Sequence, residues 1–322
     1  MESRADRITL QFFAEPRDSA VGGETVAAGS VLEWIDKAGY ACAVGWSASY
    51  CVTAYVGNVH FTRPIAPGDL VQAHARIVHT GRTSMQVLVV IESGSARTRE
   101  FSVATHCLLV FVAVDEQGGS TAVPTWEPAT RDERDARSSA EQRIGVRRQI
   151  RDAMLAQDYS TAGTAPRTVL RFIASPSAVN WGGNVHGGTV MRWIDEAAFA
   201  CAAGWSSENA VAVYSGGIQF DRPIGIGDLV EVEARLIHTS DRSMHFAIHV
   251  RAGSPQRPAE LALTTTCMSV FVDLGPSGRA EAVQALIPSS DEDRRLDQHA
   301  RELDELRRHA APLPDAFLRP NG

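Results

Sequence analysis

Several things are missing from this sequence, and each absence removes a class of function. No run approaches about 18 uninterrupted apolar residues, the minimum for a membrane-crossing helix. The opening residues Met1 to Asp6 hold no apolar stretch of the kind a secretory leader needs, so a cytoplasmic protein without a membrane partner is expected. Lys37 is the sole lysine, and the 31 basic residues form no long basic run. With a formal net charge of −7, nucleic acid is not an expected partner. The five cysteines are odd in number, show no C-x-x-C spacing and sit inside apolar runs, which points to core thiols rather than a disulfide framework. No G-x-S-x-G elbow supplies a nucleophilic serine. No H-E-x-x-H or other paired ligand spacing gathers the ten histidines around a metal. No glycine-rich phosphate loop follows a strand, so no nucleotide cofactor is expected.

What is present is a duplication. Val26–Trp46 aligns with Val185–Trp205 at a constant offset of 159, with 12 of 21 positions identical, among them Trp34, Ile35, Asp36, Cys42 and Trp46. The register continues from Tyr55–Leu70 to Tyr214–Leu229, where 9 of 16 match, including Arg63-Pro64-Ile65 and Arg222-Pro223-Ile224. A repeat this long is two domains of one fold, in keeping with the length of 322 residues. The expected organisation is a first domain over 1–128, a charged helix and linker over 129–166, a second domain over 167–288, and a charged helix with a loose tail (Pro312 to Gly322) over 289–322.

Each repeat reads as α+β. A short strand (Ile8 to Phe13; Val169 to Ile173) precedes a helix that is apolar on nearly every side and is therefore expected to be buried. In the second repeat the helix runs from Gly187, with Gly204 in the place of a glycine stop; in the first it covers about Gly29 to Val44. Four strands follow in the first repeat, Tyr50 to Phe61, Leu70 to Val78, Ser84 to Ile91 and Ser102 to Val114, with a turn at Ser93–Arg97. They read as an antiparallel meander that must curl around its single helix, since one helix cannot cover both faces of a five-stranded sheet. The charged segments Thr130 to Met154 and Ser289 to His309 read as solvated, partly packed helices, the latter with a thin stripe of Leu296, Leu303 and Leu306.

The chemistry is concentrated in the two central helices. Gly187-Gly188 opens one of them, leaving backbone N–H groups at its positive end. Asp195 lies seven residues further on, where burial costs several kcal/mol unless the carboxylate is bonded or used. Seven residues are roughly 10 Å of helix, so an aspartate cannot serve a carbonyl held at its own helix start. If the two parts cooperate, the partner carboxylate comes from the other repeat. N–H groups at a helix start can stabilise an oxyanion while a carboxylate activates water or attacks directly, which is acyl transfer without a serine.

The run Asn184-Val185-His186-Gly187-Gly188, followed by Trp193-Ile194-Asp195-Glu196-Ala197, resembles the signature of hotdog-fold acyl-CoA thioesterases. The tandem arrangement is similar to the double-hotdog acyl-CoA hydrolases, including the brain-type cytosolic ones, over about residues 8–120 and 167–280. The resemblance implies two tandem hotdog domains, each a curved antiparallel sheet wrapped around one long helix. It also implies an acyl-CoA substrate, with coenzyme A as part of that substrate rather than a cofactor, and further assembly as a homotrimer of double hotdogs. The implied site joins Asn184, His186, Gly187 and Gly188 with Asp36. Gly188, with Gly187, forms the oxyanion hole, Asn184 orients water or the thioester, and Asp36 is base or nucleophile. Asn180 is a weaker candidate for the asparagine role. The first repeat departs from the pattern by placing Thr25, Ala27 and Ala28 where the second has Asn184, His186 and Gly187. A second composite site, Thr25 and Gly29 with Asp195, is thus degenerate. Arg82 and Arg242 fall in equivalent turns, where they can meet the phosphates of CoA; Arg63 and Arg222 precede prolines and are expected to bond turn carbonyls. Two rival readings remain: a hotdog hydratase, which would want a His–Asp pair in one loop, and a non-catalytic acyl-CoA-binding regulator.

Overall fold

The structure, a computed structural model, describes residues 4–308. The expected loose tail lies outside the described residues. The chain divides into two compact units that part between Ile144 and Gly145.

The first unit carries strands β1 (Arg7–Phe13), β2 (Cys51–Val56), β3 (Val59–His60), β4 (Asp69–Thr80), β5 (Ser84–Ser95) and β6 (Ser102–Ala113), with helix α1 (Ala28–Ser47) between β1 and β2. Helix α2 (Arg131–Leu155) follows. In the second unit β7 (Arg167–Ile173) leads to α3 (Gly187–Trp205). The strands β8 (Ala210–Phe220), β9 (Leu229–Thr239), β10 (Met244–Gly253) and β11 (Ala262–Asp273) come next, and α4 (Asp291–Arg308) closes the described chain.

Within each unit the pairing is antiparallel, in the order β1-β4-β5-β6-β2 and β7-β9-β10-β11-β8. This corrects the expected four-strand meander. Only three consecutive strands form one, because the strand after the helix crosses to the far edge and pairs with the last. In β4, Val71, Ala73, Ala75 and Ile77 point inward while Gln72, His74 and Arg76 alternate with them, so one face meets α1. Trp34 of α1 stacks on Phe12 at 5.7 Å, and Trp193 of α3 meets Phe172 edge-on at 4.8 Å. The repeated tryptophan is thus what seats each central helix on its first strand.

Three further expectations need correcting. Gly204 does not stop α3; the helix runs through it to Trp205, and α1 runs to Ser47 with Ala48 taking the left-handed position at φ 55°. The turn expected at Ser93–Arg97 begins later, since β5 continues to Ser95. The expected single strand Tyr50 to Phe61 is broken into β2 and β3. Nor is one helix left to cover both sheet faces. In the first unit Ala136 and Ala140 of α2 close the outer face over Val78, Leu88, Val90 and Leu108. In the second, Leu296, Ala300 and Leu303 of α4 join Ile150 and Met154 over Tyr214, Ile237, Ala247 and Met268. Leu296 and Leu303 of the thin leucine stripe are therefore core, while Leu306 packs against them half-buried.

Gly39 marks a close approach between α1 and the sheet: a Cβ there would lie 2.8 Å from the Phe111 ring. Gly39→Leu should overpack this contact and cost about 1–3 kcal/mol. A thermal melt with an unchanged midpoint would contradict it.

Candidate functional site

The two helix starts are stitched into their units in the same way. Val26 N–H donates to the carbonyl of Ile65, and Val185 N–H to that of Ile224, each at 2.9 Å. Ala27 N–H reaches Asp18 O at 2.8 Å and His186 N–H reaches Ala178 O at 2.9 Å. The repeated Arg-Pro-Ile segment thus anchors the chain entering each helix. Arg63 donates to the carbonyls of Ser93 and Ser102, a paired couple at the ends of β5 and β6, and not to the turn carbonyls expected.

The entry loops themselves differ. In the second unit the Asn180 side chain holds the turn: its Oδ1 accepts from Gly182 N (2.9 Å) and Asn184 N (3.1 Å), and its Nδ2 donates to Val185 O (3.4 Å). Gly183 N–H closes on Asn180 O at 3.1 Å, as Gly23 N–H closes on Ala20 O at 3.0 Å in the first unit. Ala20 therefore stands where Asn180 does, and the first loop is one residue longer, carrying Glu24. Asn184 is half-buried, and its Nδ2 donates to Gly182 O at 3.5 Å. Thr25, its counterpart, is tied through its carbonyl to Ala20 N–H at 2.8 Å. Asn180→Ala removes three hydrogen bonds from a turn that feeds the helix start. Its loss of turnover should equal or exceed that of Asn184→Ala at unchanged melting temperature, and full activity in Asn180→Ala would refute this.

At the head of α3, His186 is the capping residue, and its Nδ1 accepts from Gly188 N–H at 3.2 Å. The N–H assigned from sequence to an oxyanion is thus the one the imidazole caps, while Gly187 N–H, one position earlier, has no acceptor within the helix. The head of α1 has Ala27 in the capping position and no side-chain cap. Replacement of His by Ala therefore has a local structural consequence as well as a chemical one.

Asp36 is fully buried (0% exposed), and its Oδ1 accepts from Thr53 Oγ1 at 2.6 Å. Thr53 lies on β2 where the register against β6 shifts between Thr53 and Tyr55, an irregularity of the kind that re-aims a side chain. Sequence reasoning missed Thr53. The signal was available, because the repeat places Ala212 at the matching position. Asp195, 8% exposed, is thus the carboxylate without a matching threonine. Behind each aspartate sits a fully buried thiol, Cys107 or Cys267, which burial pushes up to about 12. These thiols are protonated core groups. All five cysteines are buried and free.

Arg82 lies in the β4–β5 turn and Arg242 in the β9–β10 turn, both exposed. Among the described residues no three His, Cys, Asp or Glu side chains converge as metal ligands, and no helix is long and apolar enough to cross a membrane.

In each unit an antiparallel sheet is packed around a buried helix with a central aspartate, and the second helix begins on a glycine pair; this is the architecture of a tandem hotdog protein. The chain belongs to the thioesterase superfamily, whose family model matches residues 23–99 and 182–259. It is 30% identical to the acyl-CoA thioester hydrolase YciA of Escherichia coli over 120 residues, 36% of this chain and 90% of that one. A likeness to the cytosolic acyl coenzyme A thioester hydrolase of Homo sapiens, 25% identical over 300 residues, spans both repeats and covers 87% of this chain and 78% of the human one. Protein VdlD of Helicobacter pylori is 36% identical over 102 residues, 32% of this chain; the match spans only 58% of VdlD's length.

Proposed function

We propose that the protein hydrolyses acyl-CoA thioesters to a carboxylic acid and free coenzyme A. The observation that carries this reading is Asp36, a carboxylate fully buried in an apolar helix and held by the Thr53 hydroxyl at 2.6 Å. Burial of a carboxylate there costs several kcal/mol unless it is bonded or used. Membership of the thioesterase superfamily and likeness to acyl-CoA thioester hydrolases support the same reaction.

In the proposed site Asp36 acts with the loop Asn184–Gly188 of the other repeat. The thioester carbonyl oxygen sits at the head of α3, where Gly187 N–H, joined by Gly188 N–H once it exchanges the His186 imidazole for the substrate, stabilises the oxyanion, and Asn184 orients water or the thioester. Asp36 either takes a proton from water, which adds to the carbonyl carbon, or adds to it directly and gives an anhydride that water then opens. On both routes the C–S bond breaks and the CoA sulfur leaves with a proton, so no cofactor is required. Arg82 and Arg242 are proposed to meet the CoA phosphates, with Arg222 left as a turn residue. The second pairing, Thr25 and Gly29 with Asp195, is proposed to be inactive. A cytoplasmic location follows the naming of the human relative. Assembly as a homotrimer of double hotdogs would cover edge strands such as β1 and β7. A fully active monomer of 34.7 kDa in dilute solution would exclude it.

The deciding experiment is release of free thiol from a short- and a long-chain acyl-CoA by the purified chain, with Asp36→Asn as control. Turnover abolished in the control supports the reading. Binding without turnover in the wild type would leave the regulator, and consumption of an enoyl-CoA without thiol release would leave the hydratase.

A further inference from the structure

Trp181 is the most exposed large apolar residue among those described, at 87%. It stands on the Asn180–Asn184 turn, whose shape is fixed beneath it by the Asn180 side chain and by the bridge between Val179 and Val185. The turn does not need an aromatic residue. The first unit builds the same closure, with the bridge between Ser19 and Val26, and has Val21 in the matching place. The large flat side chain thus occurs on the loop that also holds Asn184, His186 and Gly187, and not on the degenerate one. The charge differs in the same sense: the first loop carries the exposed Glu24, whereas no residue from Asn180 to Gly188 is acidic.

An exposed indole with open faces, on a rigid turn free of carboxylates, suits a planar ring attached to phosphates. We propose that Trp181 is a substrate-binding residue that stacks on the adenine ring of coenzyme A. This rests on the thioesterase reading and adds to it a point of recognition for the nucleotide end of the substrate. Because the exposed side chain supports nothing beneath it, its replacement leaves the fold intact.

The test compares wild type, Trp181→Ala and Trp181→Phe with acyl-CoA, with the matching acyl-pantetheine, and with adenosine 3′,5′-bisphosphate as a ligand carrying only the nucleotide end. Loss of a base–aromatic stack should raise KM for acyl-CoA about tenfold in Trp181→Ala with kcat nearly unchanged, and leave acyl-pantetheine kinetics as they are. Trp181→Phe keeps most of the affinity. The bisphosphate should quench the tryptophan fluorescence of wild type saturably, and this quench should be absent in Trp181→Phe. An unchanged KM overturns the proposal. So does an equal rise in KM for acyl-pantetheine, which would place the acyl arm on the indole, or a lower assembly state in Trp181→Ala, which would make it a contact between copies. If the wild type hydrolyses no acyl-CoA, the thioesterase reading fails, while the bisphosphate quench still decides the adenine stack.

Discussion

Asp36→Asn is expected to lose on the order of 10²-fold or more in acyl-CoA turnover, whereas Asp195→Asn keeps most of it. The two aspartates occupy identical positions in their helices, so propensity and helix dipole cannot separate them. What separates them is their surroundings. Asp36 has the Thr53 hydroxyl at 2.6 Å, and Ala212 stands in the matching place for Asp195. In the pairing proposed above, Asp36 serves the loop with Asn184, His186 and Gly187, and Asp195 the loop with Thr25 and Ala28. Neutralising Asp195 removes a buried charge, which can be neutral or stabilising for the fold. The two variants are purified together, their melting curves matched, and thiol release measured side by side. A dead Asp195→Asn beside an active Asp36→Asn would overturn the pairing, and equal losses would mean two working sites.

A second large effect is expected in acid, and it should strike the two units unequally. Burial holds His245 down to about 3 and His249 and His299 down to about 4, all in the second unit. Around His245 stand the charges of Arg307, Arg301 and Asp304, the His238 ring at 5.0 Å, and Ser243 bonded to its Nε2 at 3.0 Å. His249 faces Arg251, Glu233 and Arg235, with the Tyr159 ring at 4.2 Å, and His299 faces Glu302 and Arg295. In the first unit His106 is held down comparably, to about 4, by burial and then by Arg143 and His60; burial also lowers His79. An unfolded histidine takes its proton near 6.5, whereas these stay neutral in the fold, so the unfolded chain binds more protons between about 6.5 and 4. Their stabilisation is complete above pH 6.5 and is lost as pH falls, at up to ~1.4 kcal/mol per pH unit for each histidine. Amide exchange corrected for intrinsic rates should therefore speed up about tenfold more in residues 160–308 than in residues 7–113 between pH 7 and pH 5. Equal changes in the two would refute it.

The parts of this molecule that repeat were legible, and those that occur once were not. Trp34 and Trp193, the Arg-Pro-Ile segments and the paired aspartates announce themselves twice, and the structure gives the tryptophans one job and the Arg-Pro-Ile segments another. Thr53 escaped because its partner is 17 residues away on another element and its counterpart is alanine. Gly204 misled because α3 runs through it to Trp205 and is capped by Ser206, whose N–H donates to Ala202 O. The crossing of β2 to the far edge of its sheet leaves no trace in local pattern, since pairing with β6 or β4 asks for the same alternation. The packing of α4 was hidden by composition. Asp293 and His299 are buried in a helix that reads as charged; Asp293 accepts from the neighbouring Ser290 N–H and from Thr164 N–H, a partner that only the fold supplies.

The buried cysteines have a practical corollary for the bench. Burial pushes Cys42, Cys107 and Cys267 up to about 12 and Cys51 to about 11, and Cys201 is raised as well. A thiol that is both shielded and protonated reacts slowly with disulfide dyes. In the native protein such a dye therefore counts the coenzyme A set free by the proposed reaction and not the protein's own sulfur. When the fold opens, five equivalents of protein sulfur enter the same readout. The colour that measures turnover in one tube thus measures unfolding in another, when both are read near neutral pH, where an exposed thiol is partly thiolate.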